Sequence, residues 1–237
     1  MNNGLKRLIT GCFFLLALLI PGTGQTRDLQ KSDVVREVAT NEKVVAFTFD
    51  DGPYPNTPRI LDILAQYGAK ATFFTIGKRA EWLPDTVRRV AQEGHELANH
   101  TYNHPSMRKI SSEELHEEIT HASTVLEKIA HVKPVLFRPP GGYYNDMIVN
   151  TARADHCTVI MWSPNLDTGD WKRPGVHKIV QRVLKNVRNG SIVLFHDREA
   201  QTGQALEQLL PALQKQGYSF VTVSELLEIR NAPTNSQ

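Results

Sequence analysis

Two adjacent carboxylates stand at the end of an apolar stretch, in the segment FTFDDGP at residues 47–53. Within a strand, Asp50 and Asp51 would point to opposite faces. Because Gly52 and Pro53 end the strand, the backbone can turn there and let both carboxylates face one cavity. A nearby cation would remove their repulsion and lower both pKa values. A simple turn or helix cap is the alternative for this segment taken alone.

Two histidines four residues apart, His100 and His104, lie in the segment HTYNH. Pro105 follows directly and excludes a long helix immediately after the pair. Two imidazoles and one carboxylate suit a divalent transition metal that keeps open positions for water. The segment therefore indicates a metal site, with a pair of solvated loop histidines as the alternative.

Three further segments carry polar side chains after apolar runs. FRPPGGYYN places Arg138 before a rigid Pro-Pro corner, and its two glycines would let backbone amides approach a ligand closely. DTGDW supplies Asp167, Asp170 and Trp171, and LFHD places His196 at the end of a run. Taken singly, each has a structural alternative: an arginine that anchors a turn, a turn with a packed tryptophan, and a buried structural histidine.

Short apolar runs alternate with longer segments of helical period from Val44 onward. This order predicts a parallel sheet with helices outside it, either an open doubly wound sheet or a closed or incomplete (β/α) barrel. Seven strands are predicted, at residues 44–50, 71–77, 96–101, 135–138, 158–163, 191–197 and 219–223. Helices are predicted at residues 57–68, 84–94, 111–130, 174–190 and 204–217, the last with a kink or restart at Pro211.

The candidate residues fall at the ends of predicted strands. Asp50 ends the first strand, His100 the third, Arg138 the fourth and His196 the sixth. Because the carboxyl ends of parallel strands meet at one edge of a sheet or barrel, we expect these side chains to gather there. This placement is the strongest indication of an active site that comes from the residues themselves.

Five motifs, taken in order, resemble those of the NodB-homology polysaccharide deacetylases, carbohydrate esterase family 4. They are TFDDGP at 48–53, HTYNH at 100–104, RPPGG at 138–142, DTGDW at 167–171 and LFH at 194–196. The resemblance spans residues 43–224. It implies a distorted (β/α) barrel with about seven parallel strands and helices outside. It also implies a metal-dependent hydrolase that removes acetyl groups from the amide bonds of glycans.

The resemblance also assigns roles position by position. Asp51, His100 and His104 would bind a divalent metal, most often zinc in this family, with cobalt or nickel as alternatives. Asp50 would be the general base, and Arg138 would hold it in place.

On the opposite side of the predicted centre, His196 would be the general acid, and Asp170 would hydrogen-bond it. The backbone amide at Gly141 would stabilise the oxyanion, although many family members have tyrosine there. Tyr143 or Tyr144 is then expected to supply an aromatic surface. The predicted substrate-binding positions are Gly141, Tyr143, Trp171 and Leu194.

The first 24 residues have the features of a secretory signal peptide. Lys6 and Arg7 precede an apolar run of 13 residues from Leu8 to Ile20, and small residues follow. We expect cleavage after Gly24 and export, with an uncleaved anchor as the alternative. Stable membrane insertion is not expected after cleavage, because a span needs about 20 apolar residues. Residues 25–42 are predicted to be a linker or N-terminal extension, and residues 43–237 the deacetylase domain.

Charge argues against a nucleic-acid partner. The chain has a formal net charge of +2, and loss of Lys6 and Arg7 would leave 25 basic and 25 acidic residues. No basic stripe remains to bind a phosphate backbone. The predicted partner is a glycan: peptidoglycan, an exopolysaccharide or chitin oligomers. An esterase of O-acetylated xylan or small esters and a non-catalytic glycan-binding protein are the alternatives, and the oligomeric state is unconstrained.

Overall fold

Residues 34–231, together with Met1, are the part of the chain that the structure, a computed structural model, describes. The predicted signal peptide therefore lies outside the described residues. Within them, parallel strands follow one another along the chain: β1 Val34–Val35, β2 Val44–Asp50, β3 Ala71–Thr75, β4 Glu96–Asn99, β5 Leu136–Phe137, β6 Thr158–Ile160, β7 Ser191–His196 and β8 Ser219–Phe220.

All seven predicted strands form, most of them shorter than predicted. The eighth, β1, lies inside the predicted linker and pairs with β6. Its two residues are too few to show a period in the sequence. Val223, predicted as the last residue of the final strand, instead begins a helix.

The sheet curls into an incomplete barrel, as the motifs imply. Its strand order is β1-β6-β5-β4-β3-β2-β7, and β8 pairs with the start of β2. The chain after β6 runs alongside β7 and narrows the remaining gap. There, Ser163 N–H donates to the Ile192 carbonyl at 2.9 Å, and Leu194 N–H donates to the Leu166 carbonyl at 2.9 Å. The predicted fold class, a distorted (β/α) barrel, is confirmed.

Eight helices surround this sheet within the described residues: α1 Thr57–Gln66, α2 Gly77–Trp82, α3 Pro84–Gln92, α4 Ser112–Ala130, α5 Asp146–Ala154, α6 Val176–Asn186, α7 Ala200–Lys215 and α8 Val223–Asn231. The five predicted helices are α1, α3, α4, α6 and α7. In α4 the predicted capping box forms, since Ser111 and Glu114 bond each other's backbone amides. The restart predicted as one alternative at Pro211 is wrong, because α7 continues through Pro211 as one helix. No described helix is long and apolar enough to cross a membrane.

Strand β2 shows how the sheet separates its core from its chemistry. Phe47 and Phe49 are buried in the layer between the sheet and the outer helices. The alternate residues Ala46, Thr48 and Asp50 lie on the opposite face, inside the barrel. Because both faces are buried, the strand reads as a nearly continuous apolar run. The inward-facing polar residues Thr48 and Asp50 lie toward the carboxyl end of this strand.

Candidate active site and candidate metal centre

Arg138, which is 0% exposed, lies inside the barrel and holds Asp50. Its Nη1 donates to Asp50 Oδ1 at 2.7 Å and to Thr48 Oγ1 at 2.8 Å. Its Nε and Nη2 donate to the carbonyls of Ile160 and Met161. A buried charge is tolerated only when it is paired and hydrogen-bonded. The guanidinium thus has the partners it needs, and it fixes the orientation of the Asp50 carboxylate.

Asp51, His100 and His104 come together at the carboxyl ends of β2 and β4. Asp51 Oδ1 lies 3.3 Å from His100 Nε2 and 3.2 Å from His104 Nε2. One ligand atom from each residue lies within 4.8 Å of the others. Asp51 has φ +72°, so the chain turns directly after β2. Asp50 also faces His100, with Oδ2 3.9 Å from Nε2, so both carboxylates point into one space.

The donor set fits a divalent metal. His100 Nδ1 lies 2.7 Å from the Arg138 carbonyl oxygen, which can only accept, so this nitrogen carries the proton. Its Nε2 then carries a lone pair that points at Asp51 Oδ1, so both atoms of this contact are acceptors. Two acceptors at this separation require a cation or a proton between them. Histidines that bind a metal through one ring nitrogen usually donate a hydrogen bond from the other ring N–H to a carbonyl or carboxylate.

Electrostatics in this cluster favour a negatively charged Asp51. Burial acts to raise the pKa of Asp51, but the neighbouring imidazoles of His100 and His104 outweigh it and hold the pKa far below its usual range. The same contact with Asp51 raises the pKa of His104. The carboxylate therefore attracts positive charge to the point where the three residues meet.

Glu118 of α4 braces the loop between the two histidines. Its carboxylate accepts from the backbone amides of Tyr102 at 2.9 Å and Asn103 at 2.7 Å. It also accepts from Asn103 Nδ2 at 2.8 Å. The sequence does not distinguish this residue from its neighbours, because a glutamate in an amphipathic helix ordinarily faces solvent. Its only sequence signal is its place beside Leu115 and Ile119, on the apolar face of the helix.

We expect Glu118→Ala to weaken zinc binding by at least about tenfold, the low end for residues that orient metal ligands. The loop amides would lose their acceptor, and the two imidazoles would lose their fixed separation. Calorimetric titration of the metal-free protein with zinc measures this. The matched control is Glu117→Ala, an exposed neighbour on the same helix. Equal zinc affinity in both variants would contradict the bracing role.

Three successive amides after the end of β3 connect the Asp51 loop to the loop that carries His100 and His104. The chain leaves β3 and enters α2 with each amide bonded to a loop carbonyl at 3.0 Å: Ile76 to Gly52, Gly77 to Thr101 and Lys78 to Tyr102. The loop that carries Asp51 and the loop that carries both histidines are therefore held at a constant separation by backbone contacts alone.

His196 ends β7 and is the register partner of Asp50 on β2. Its Nδ1 lies 2.8 Å from Asp170 Oδ1, and its backbone amide donates to Asp170 Oδ2 at 2.8 Å. Asp170 is fully buried and also accepts from Thr202 Oγ1 at 2.8 Å. The aspartate therefore fixes the imidazole ring and leaves its Nε2 as the free end.

Charge on Asp170 sets the protonation of His196. Burial acts to lower the pKa of His196, but the Asp170 hydrogen bond and charge outweigh it, with smaller contributions from Asp50 and Asp51. Together these interactions raise the pKa of His196 to about 9. At neutral pH this imidazole is consequently protonated and able to donate a proton.

Asp197, directly after His196, explains why a glycine follows the two aspartates. A Cβ on Gly52 would overlap the Asp197 carboxylate. Asp197 is fully buried, accepts a hydrogen bond from Thr57, and has one oxygen without a partner among the described residues. Burial raises the pKa of Asp197 to about 7, with the charge of Asp51 contributing. The LFHD segment carried this residue, but nothing in the sequence distinguished it from a turn aspartate.

The predicted substrate-binding residues occupy different environments. Leu194 is 4% exposed, whereas Trp171 is 53% exposed beside Lys172. Gly141 has φ +66° and open space where a side chain would be. Tyr143 is half-buried under the guanidinium of Arg108, 4.2 Å from its ring centroid. Asp167 is the exception among the polar motif residues, since it accepts from the Gly169 amide and serves the turn.

Comparison with known proteins identifies close relatives. A protein-family model described as polysaccharide deacetylase matches residues 37–160. A peptidoglycan-N-acetylglucosamine deacetylase of Bacillus cereus is 48% identical over 202 residues, covering 84% of this chain and 94% of that protein. A chitooligosaccharide deacetylase of Bradyrhizobium sp. is 37% identical, covering 77% of this chain and 90% of that protein. The solved structure of the peptidoglycan deacetylase PdaC from Bacillus subtilis superposes with a TM-score of 0.75 at 37% identity, covering 82% of this chain and 94% of that one.

Proposed function

The chain belongs to the polysaccharide deacetylase family, and we propose that it is an exported, metal-dependent deacetylase of N-acetylglucosamine-containing glycans. It would hydrolyse the acetamido group and release acetate, leaving a free amino sugar. The relatives named above act on peptidoglycan and chitooligosaccharides, and both kinds of glycan are candidate substrates. Export rests on the signal-like first 24 residues.

One observation carries the proposal. A carboxylate and two imidazoles converge on one point, beside an arginine-held carboxylate, Asp50, whose register partner on the next strand is an aspartate-held imidazole, His196. Hydrolysis of an amide needs these parts: a proton acceptor for water, a proton donor for the leaving amine, and a centre of positive charge. Asp51, His100 and His104 would hold the metal, most suitably zinc. When bound, such an ion acidifies water and polarises a carbonyl.

On one side, Asp50 takes the proton from the attacking water. Its Oδ1 is occupied by Arg138, so Oδ2, which faces His100, is the oxygen left to accept that proton. Arg138 keeps the carboxylate in one orientation, with Oδ2 left for the reacting centre. The general base is thus positioned before substrate arrives, which removes a reorganisation cost from the reaction.

On the other side, His196 donates its proton to the nitrogen of the departing amine. The Gly141 backbone amide donates to the oxyanion that forms when water adds to the carbonyl carbon. One such donor is typically worth about 3 kcal/mol of transition-state stabilisation. Trp171 and Leu194 would enclose the acetyl methyl group, and Tyr143 would supply an aromatic surface for the sugar.

The pH profile tests the role of His196. Because Asp170 raises the pKa of His196 above its usual range, the acid form of this imidazole persists above neutral pH. Its loss of the proton should set the alkaline limb of kcat. We expect Asp170→Asn to move this alkaline limb to lower pH, because the pKa of His196 falls when the negative charge is lost. Asp167→Asn, in the same segment, is the control that should leave the limb in place. An unmoved limb in Asp170→Asn would contradict the assignment.

Acetate release from defined substrates tests the activity itself. The substrates are N-acetylglucosamine oligomers, peptidoglycan glycan strands and O-acetylated xylan, each with and without a chelator. We expect chelator-sensitive release from the N-acetylated glycans. Release from the O-acetyl ester alone would identify an esterase, and glycan binding without release would identify a non-catalytic protein; either result would overturn the proposal.

A further inference from the structure

A cavity of about 260 Å³ opens directly beside the triad formed by Asp51, His100 and His104. Asp51 and His104 belong to both the triad and the cavity wall. Its other walls come from the first loop after β2, from α2 and from the histidine loop: Tyr54, Ile76, Lys78, Arg79, Trp82 and Asn103. Sites for drug-sized ligands measure about 300–1,000 Å³. The cavity is smaller than that, so it has room for about one sugar unit next to the reacting centre.

Trp82 gives this cavity an apolar platform. Its side chain is 66% exposed, although it belongs to a six-residue helix packed on the barrel. Because this ring lines the cavity, it offers a ligand a flat apolar surface and an indole N–H. The flat face of an indole suits the C–H face of a pyranose ring. Tyr54, a half-buried residue that also lines the cavity, provides a second ring and a hydroxyl group.

Lys78 and Arg79 give the cavity unpaired positive charge. Neither side chain has an acidic partner among residues 34–231, and Arg79 instead lies over the Tyr54 ring, 4.0 Å from its centroid. The only carboxylate that lines this part of the described structure is Asp51, which both triad histidines already contact. A free guanidinium and a free ammonium together favour a carboxylate ligand.

The cavity wall keeps a constant position relative to the reacting centre. The amides of Ile76 and Lys78, at the start of α2, donate to the two loops that carry the triad. On the far side of α2, Glu81 accepts from Tyr102 Oη at 2.8 Å. A ligand group bound by Lys78 or Arg79 would therefore lie at a set distance from the acetamido group that is cut.

We propose that Tyr54, Lys78, Arg79 and Trp82 form a subsite for a carboxylate-bearing sugar unit adjacent to the unit that is deacetylated. Lys78 and Arg79 pair with the carboxylate, and Trp82 stacks on the sugar ring. This inference rests on the proposed function and narrows its substrate: an acidic glycan strand containing N-acetylmuramic acid is preferred over a neutral N-acetylglucosamine oligomer. The carboxylate is either that of the lactyl ether or that of an attached peptide.

The first test compares kcat/KM for acetate release from soluble oligosaccharides of equal length. The first alternates N-acetylglucosamine with N-acetylmuramic acid, and the second is the same strand with peptides attached. The third is the first strand with its carboxyl groups converted to methylamides. The fourth is a neutral N-acetylglucosamine oligomer. We expect the protein to prefer the acidic strands, and Lys78→Gln combined with Arg79→Gln to reduce that preference about five- to tenfold. Lys128→Gln, an exposed charge on α4, is the matched control and should keep the preference.

A second measurement does not depend on turnover. Calorimetric titration of the metal-free protein with the acidic and methylamide strands should show weaker binding of the methylamide. The difference should shrink in the double variant and with rising salt. Tighter binding of the peptide-free strand identifies the lactyl carboxylate, and tighter binding of the peptide-bearing strand identifies the peptide; both support the subsite.

Equal kcat/KM for acidic and neutral strands, or a preference that survives the double variant, would overturn the subsite and leave the proposed function standing. Trp82→Ala gives an independent check, because loss of the stacking surface should weaken binding of every strand. Acetate release from none of the glycans by the metal-loaded protein would overturn the proposed function. The titration would in that case still decide whether the cavity selects a carboxylate.

Discussion

Replacing Asp50 by asparagine is expected to lower kcat by about 10²- to 10⁴-fold, the usual contribution of a positioned proton acceptor. Asparagine has nearly the same shape and can still accept the hydrogen bond from Arg138 Nη1, which measures 2.7 Å in the native protein. It cannot take a proton from water. Initial rates of acetate release at saturating N-acetylglucosamine oligomer measure the loss, with zinc content measured on the same sample.

The substitution also removes the countercharge of a fully buried arginine, so its effect on folding must be separated from its effect on chemistry. Breaking a buried ion pair costs about 3–5 kcal/mol when one partner is left without compensation, and the retained hydrogen bond should reduce this. Thr48→Val is the matched control, because it removes another acceptor of the same guanidinium and leaves the carboxylate. A kcat for Asp50→Asn equal to that of Thr48→Val would refute the role of general base.

Replacing His104 by alanine is expected to remove the metal and, with it, the activity. Asp51 and His100 would remain as two ligands, and zinc sites of the catalytic kind use three protein ligands. We expect zinc affinity to fall by more than the about 10- to 100-fold seen when a supporting residue is lost. Elemental analysis after dialysis, and acetate release with and without added zinc, measure the two effects.

The control for this variant is His177→Ala, an exposed histidine on α6. It makes the same chemical change outside the site and should keep both zinc and activity. Stoichiometric zinc in His104→Ala would show that this imidazole is not a ligand. His104 is partly exposed and lies in a loop, so its removal should leave the barrel core intact, and thermal unfolding can verify this.

The histidine loop illustrates the limit of local pattern. The spacing of His100 and His104 and the proline after them indicated two ligands on a loop. The residue that braces this loop, Glu118, lies on the following helix, and its hydrogen bonds to loop amides reach back 15 and 16 residues. The helical period of α4 predicts the helix itself but does not distinguish an acid that meets backbone amides from one that faces water.

The strands could be predicted from the sequence because burial on both faces leaves near-continuous apolar runs. Their carboxyl ends could be predicted because polar residues interrupt those runs at Asp50, His100, Arg138 and His196. The short elements β1 and α2 could not be predicted from the sequence. Strand β1 has two residues and helix α2 has six, and neither is long enough to establish a period. Yet α2 supplies Lys78, Arg79 and Trp82 to the cavity beside the triad.

The amino-acid sequence by itself determined which residue types stand at the ends of the strands, and hence the kind of chemistry available. Only the tertiary structure decided which of them meet. Arg138 reaches Asp50 across 88 residues of chain, and Asp51 faces the histidines because its φ is +72° after β2. Periodicity is a local property of the chain, whereas these contacts depend on the curvature of the sheet and on backbone amides that bond to distant loops.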